Sequence, residues 1–229
     1  MTADAARELR IYLEVDAGGW DPALEARPDV VVLDMSRGGD EVAADFGGLG
    51  SRVGPPLVFA AIPALASGRA DAALDRLMPL APDGIVLRGC VGSRDVEHLS
   101  AKLAVREAEW DRPDGSIWIL AMAADSAAGV LALPTFAGRR HPRLAGLGSD
   151  PNRLRAEIRC RDDAPALRAA SATLVLAAAA IGTAAVALPG RTADEPWLRF
   201  DGLRAQGYRA VLLREAGEVE VAREVFGPE

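Results

Sequence analysis

The chain has 229 residues, half of them hydrophobic and 26% charged, with a net charge of −7. That is apolar material enough for a sizeable core, and the acidic balance argues against nonspecific nucleic-acid binding, which needs a basic footprint to release counterions. Two cysteines, Cys90 and Cys160, with no C-x-x-C pair, speak against a disulfide scaffold or a zinc knuckle and read as reduced thiols.

The opening MTADAARELR holds no apolar run after a basic start, so no signal peptide is expected and the cytoplasm is the default compartment. RIYLEV (10–15) reads as a first strand, followed by Gly18-Gly19 and a brief helix over 21–26. VVVLDM (30–35) is a continuous apolar, β-branched run, the mark of a strand buried on both faces. LVFAAI (57–62) is a third strand, and ADAALDRLMPLA (70–81) has helical spacing with Leu74, Leu77, Met78 and Ala81 on one face. GIVL (84–87) is a fourth strand.

Residues 93–109 form an amphipathic helix with Val96, Leu99, Leu103 and Ala104 inward and Ser93 as candidate cap. SIWILAMAA (116–124) is a fifth strand, SAAGVLALPTFAG (126–138) the helix after it, and RLAGLG (143–148) a sixth strand. Helices are expected over 152–158 and 164–181, and TAAVAL (183–188) is a seventh strand. ATLVLAAAAIGTAAVALP (172–189) falls short of the ~20 apolar residues a membrane span needs and is interrupted by Gly182. It reads as a helix, a stop and a buried strand, with no membrane partner. A polar helix over 194–205, the strand YRAVLL (208–213) and a helix over 215–226 close the chain.

Eight strands alternating with helices predict a (β/α)8 TIM barrel, one domain over 1–229. An open doubly wound sheet shares the alternation, and the stretch 37–56 leaves room for a miscounted element. No G-x-G-x-x-G follows the first strand and no G-x-x-x-x-G-K-[ST] occurs, so the nucleotide-binding versions lose support.

Four stretches, PDVVVLDM, DGIVLRGCVGSRDVEHL, ILAMAADSAAGVL and LRAQGYRAVLLREAGEVEVAREVFGPE, carry a likeness in shared order and spacing, with RLAGLGSD between the last two. Together they resemble the HpcH/HpaI aldolase and citrate lyase β-subunit family, particularly its CoA-ester lyase branch. The resemblance implies a phosphoenolpyruvate/pyruvate-binding type of barrel. It also implies Mg2+ held by a glutamate and an aspartate, and a carbon–carbon bond made or broken beside a carbonyl of a CoA ester or 2-oxo acid. The partner would be a small-molecule carboxylate or CoA ester, and the assembly a homo-oligomer, a trimer or multiple of three.

Carried over residue by residue, the fifth-strand glutamate falls on Asp125, one methylene shorter. The second metal ligand falls on or near Pro151, with Asp150 one position earlier and Asn152 one later. Asp125 and Asp150 are therefore the candidate metal ligands, each with a plainer reading as a helix cap or polar contact. Asp34 keeps the first acid of the second-strand motif, while Ser36 and Arg37 stand where further carboxylates are expected.

The arginine at the end of the third strand is replaced within Phe59-Ala60-Ala61-Ile62, and the usual His-Pro of the last strand by Glu215-Ala216. The lysine after the fourth strand falls on Gly89, beside Arg88. Arg88 and Asp34 are the candidate catalytic residues, Arg88 because a guanidinium at a strand end suits an anion. His98 is expected on the outer side of its helix. The cluster Arg139-Arg140-His141-Pro142-Arg143 is expected to be a solvated face at the non-catalytic end. No G-x-S-x-G appears, and neither cysteine has a base partner in sequence. Three functions stay open: a divalent-metal lyase, a non-catalytic relative serving as a binding or assembly partner, and a metal-independent reaction in the same pocket.

Overall fold

A computed structural model describes residues 8–15, 20–34, 56–139, 141–190 and 195–227. Eight parallel strands close on themselves in sequence order: β1 (Ile11–Val15), β2 (Val30–Asp34), β3 (Leu57–Ile62), β4 (Gly84–Leu87), β5 (Trp118–Ala124), β6 (Leu144–Ser149), β7 (Ala184–Ala187) and β8 (Ala210–Leu213). β1 pairs with both β2 and β8, which closes the ring and excludes the open sheet.

Apolar residues occupy both faces of each strand because each face has its own core. Tyr12, Val32, Phe59, Leu120, Val186 and Leu212 fill the interior. Leu13, Val31, Ile85, Leu147 and Val211 face the surrounding helices. Large interior side chains stand beside glycines. A Cβ on Gly84 would fall 2.5 Å from Phe59 Cε2, and one on Gly148 would strike Met122. Phe59 meets Tyr12 edge-on, with centroids 5.9 Å apart at 73°.

Helices α1 (Trp20–Ala26), α2 (Ala70–Leu77), α3 (Ser93–Glu109), α4 (Ala127–Ala132), α5 (Pro151–Ile158), α6 (Pro165–Ala180), α7 (Pro196–Ala205) and α8 (Val219–Phe226) form the outer layer. Two helices read as continuous relax into 3-10 turns at Met78–Leu80 and Leu133–Phe136, each with a proline that cannot extend the α-ladder. The predicted 215–226 helix instead opens with such a turn at Ala216–Glu218.

In α3, Val96, Leu99 and Leu103 are buried as expected, but the next inward position is Glu107, not Ala104. Ser93 is not the cap: it is the first helical residue, and Gly92, with a left-handed φ of 83°, precedes the helix. The apolar run 172–189 resolves as anticipated. α6 stops at Ala180, Gly182 turns the chain with φ 66°, and β7 follows, buried throughout. Among the described residues, no helix is long and apolar enough to cross a membrane.

Candidate active site at the barrel mouth

In a parallel barrel every strand ends on the same rim, so the residue two positions after the last inward apolar one, on the same face, points into the mouth. Tyr12 is inward, so Glu14 shares its face; Val32 puts Asp34 there, Val86 puts Arg88, and Leu212 puts Arg214. Gly148 fills the interior beside Met122, which carries Asp150 inward by the same count.

β5 needs a correction to this alternation. Strict alternation would send Asp125 outward with Ala121 and Ala123. A register shift between Met122 and Ala124 against β6 resets the pattern. Ala124 then joins the outer core, and Asp125 swings to the mouth.

Asp125 is 1% exposed. Its Oδ2 accepts a hydrogen bond from the Gly89 backbone N–H at 2.9 Å and lies 3.7 Å from Arg153 Nη1. Gly89 is left-handed (φ 61°), a conformation that turns its N–H to the carboxylate and disfavours any side chain. Asp125 Oδ1 is buried without a hydrogen-bond partner among the described residues. Burial pushes the Asp125 carboxyl above the ordinary aspartate value, and the nearby Asp150 charge adds to that. The Gly89 N–H and the Arg153 and Arg88 charges pull the other way without reversing it.

Asp125 does not cap α4. Ser126 does, its hydroxyl accepting from Gly129 N at 3.1 Å. Asp150 does cap α5, accepting from Arg153 N at 3.1 Å through Oδ1, while its Oδ2 lies 4.0 Å from Arg214 Nη2.

Sequence reasoning missed Glu14. It is 9% exposed, and it accepts from Arg88 through Oε1 and from Arg214 Nε through Oε2, the latter at 3.2 Å. Its signal was legible: one acid inside the apolar strand IYLEV, on the inward phase. Arg214, half-exposed, was also missed.

Asp34 stands at the end of β2, partly buried and paired in register with Ala61. Ser36 and Arg37 lie outside the described residues. Ala61 and Ile62 end β3 fully buried, so that strand's end presents no guanidinium.

At the opposite end, the basic cluster is a solvated face only in part: Arg139 is exposed and pairs with Glu97, but His141 and Arg143 are buried. Arg143 is 7% exposed and forks onto Glu107, and buried His141 packs edge-on against Phe136. Arg140 lies outside the described residues. A strand fixes Arg143 over the base of the core, where α3 offers the matching acid. His98 is exposed on α3, as expected. Cys90 is buried and its thiol is pushed far upward by that burial, so it is a poor nucleophile.

No group of three or more His, Cys, Asp or Glu side chains among the described residues forms a metal cage. Mg2+ does not require one. It is commonly held by one or two carboxylates with water and substrate oxygens completing the shell. The unpartnered Asp125 Oδ1 and the loosely met Asp150 Oδ2 are hard oxygen donors of that kind, so the residues present fit the ion.

No family model matches the sequence, and no curated protein matches it. Solved structures do match in fold. RipC from Yersinia pestis superposes with a TM-score of 0.76 at 18% identity, covering 98% of this chain and 97% of that one. Malate synthase from Haloferax volcanii gives 0.80 at 18% identity, over 97% of this chain and 76% of that one. The citrate lyase β subunit of Mycobacterium tuberculosis gives 0.73 at 18% identity, over 97% and 99%. The chain has the fold of these barrels. The citrate lyase β subunit is the protein whose family the strand motifs resemble, so sequence pattern and three-dimensional likeness agree.

Proposed function

We propose that the barrel mouth binds a small carboxylate, a 2-oxo acid or the acyl group of a CoA ester, and makes or breaks a carbon–carbon bond beside its carbonyl. The observation that carries this reading is Asp125 Oδ1, a buried carboxylate oxygen without a partner, on the rim that it shares with Asp150 and Arg88. Leaving such an atom unmet costs about 1–3 kcal/mol, and a fold retains that cost where function repays it. The solved neighbours support the ligand class. The M. tuberculosis citrate lyase β subunit was solved with oxaloacetate and magnesium, and also with magnesium, acetoacetate and coenzyme A. The H. volcanii malate synthase was solved with magnesium and glyoxylate.

Asp125 and Asp150 would hold Mg2+. When bound, the ion gathers carboxylate and carbonyl oxygens and offsets the charge that builds on the carbonyl oxygen as the neighbouring bond breaks. Arg88 adds positive charge at the same rim, held by Glu14. Gly89 fixes Asp125 through its backbone N–H, and Asp34 brings a further carboxylate to the end of β2. We place the protein in the cytoplasm as one domain and a homo-oligomer, a trimer or multiple of three, which light scattering tests.

A second reading, a non-catalytic barrel used for binding or assembly, is favoured by one observation: β3 ends in Ala61 and Ile62, so the resemblance's arginine has no counterpart there. Proton exchange separates the two readings without knowledge of the true substrate. With Mg2+ in D2O, a lyase of this type should exchange the methyl protons of pyruvate or acetyl-CoA, read by NMR, and Asp125→Asn should abolish the exchange. Ligand binding with no exchange from either compound would favour the non-catalytic relative.

A further inference from the structure

We propose that Glu14 is a positioning residue that holds Arg88 and Arg214 as one anion-gripping pair across the barrel mouth, built for a planar carboxylate. This deepens the reading above and rests on the mouth being the ligand site.

Placement supplies the first argument. Glu14 stands on β1, Arg214 follows the adjacent β8, and Arg88 follows β4, three strands round the ring from β1. Arg88 and Glu14 therefore meet across the mouth, between strands that are not neighbours in the sheet, rather than along one wall.

The cost of burial supplies the second. Glu14 and Arg88 are 9% and 8% exposed, on the same inward row of residues as Tyr12 and Val86. Taking such a pair from water is expensive, and apolar residues of similar volume would serve the core at least as well. The pair makes sense as machinery. One carboxylate meets two guanidiniums, through separate oxygens, and sets the distance between them.

The remaining donors supply the third. A guanidinium carries five N–H donors in a plane. Arg88 spends one of its nitrogens, Nη2, on Glu14 and meets no other acceptor among the described residues. Arg214 spends Nε on Glu14, and its Nη2 lies 4.0 Å from Asp150 Oδ2, beyond hydrogen-bond range. Asp150 adds only that 4.0 Å ion pair with Arg214, and Asp125 feels the Arg88 charge without hydrogen-bonding to it, so both guanidiniums keep forked donors free, the arrangement that carboxylates fit bidentately. Arg214, half-exposed, leaves the pair open to solvent.

The test is calorimetric titration of the full chain with oxalate, in chelator so that no divalent ion takes part. Wild type should bind, and Arg88→Lys and Arg214→Lys should each weaken binding roughly tenfold by losing the fork. Glu14→Gln is the decisive variant, because bracing and simple electrostatics predict opposite signs. Removing a negative charge would by itself tighten anion binding, whereas losing the brace should weaken it roughly tenfold. Oxalate bound as tightly or more tightly by Glu14→Gln overturns the proposal, as does wild type that fails to bind oxalate. Should Glu14→Gln not fold, Arg214→Gln at a half-exposed strand end takes its place. A roughly tenfold loss there supports the pair, and unchanged binding overturns it. Stabilisation by Mg2+ should survive in Arg214→Gln, so failure of the arginine pair and failure of the metal reading give different patterns.

Discussion

The Arg143 guanidinium forks onto the carboxylate of Glu107, Nη1 to Oε1 at 2.8 Å and Nη2 to Oε2 at 2.6 Å, where Glu107 has no exposed surface. The same carboxylate accepts from the backbone N–H of Ile117 at 2.8 Å and of Gly115 at 3.0 Å. This pair ties the end of α3 to the starts of β5 and β6. Removing one partner strands a buried charge, which costs about 3–5 kcal/mol. Glu107→Ala should lower stability by roughly that amount in urea denaturation. Asp114→Ala should cost little, because Asp114, the other partner of Arg143, is 86% exposed.

Acid should act through the same pair. Burial alone would raise the Glu107 carboxyl, but hydrogen bonds from Arg143, Ile117 and Gly115 outweigh it and leave it below the ordinary glutamate value of 4.5. A carboxyl depressed on folding adds stability that is complete above its unfolded value and is lost as pH falls through the folded one. The stability gap between wild type and Glu107→Gln should therefore be flat above about pH 5 and shrink below the ordinary value, in urea melts across pH. A gap that widens on acidification would contradict the assignment.

Gly84 makes room for Phe59, its register partner on β3. A Cβ there would lie 2.5 Å from Phe59 Cε2, inside an interior with no exposed atoms to yield. Gly84→Ala should cost about 1–3 kcal/mol by overpacking. In a chain of this size each kcal/mol lowers the melting temperature by about 2–4 °C. Adding Phe59→Leu should recover part of the loss, since the two positions share one space.

The barrel itself was legible because burial on both strand faces writes apolar runs that need no partner to be recognised. LVFAAI and GIVL became β3 and β4 with unchanged bounds. The rim was harder to read. Asp125 reaches the mouth only through the register shift after Met122, which no residue type in AMAAD announces. Glu107 and Arg143 are 36 positions apart, so no local pattern pairs them, and the basic cluster that holds Arg143 reads as a solvated face. Glu14 could have been found as the lone acid on the inward phase of β1, but its two arginines come from the far side of the ring and the far end of the chain.

The unmet Asp125 oxygen makes the site costly in the absence of ligand. Asp125→Asn keeps the shape while removing the buried charge. It should stabilise the metal-free protein by about 1 kcal/mol in thermal melts, a trade of activity for stability. A clear loss of stability would mean that the carboxylate is already satisfied in the fold.

The central claim, that Asp125 and Asp150 form a Mg2+ site at the mouth of this barrel, is tested most directly by titrating Mg2+ and Mn2+ into wild type and Asp125→Ala while following thermal unfolding. A ligand that binds only the folded state raises its stability in proportion to the logarithm of its concentration. The account predicts a rising melting temperature through the millimolar range in wild type and a flat response in Asp125→Ala. A flat response in wild type would contradict it.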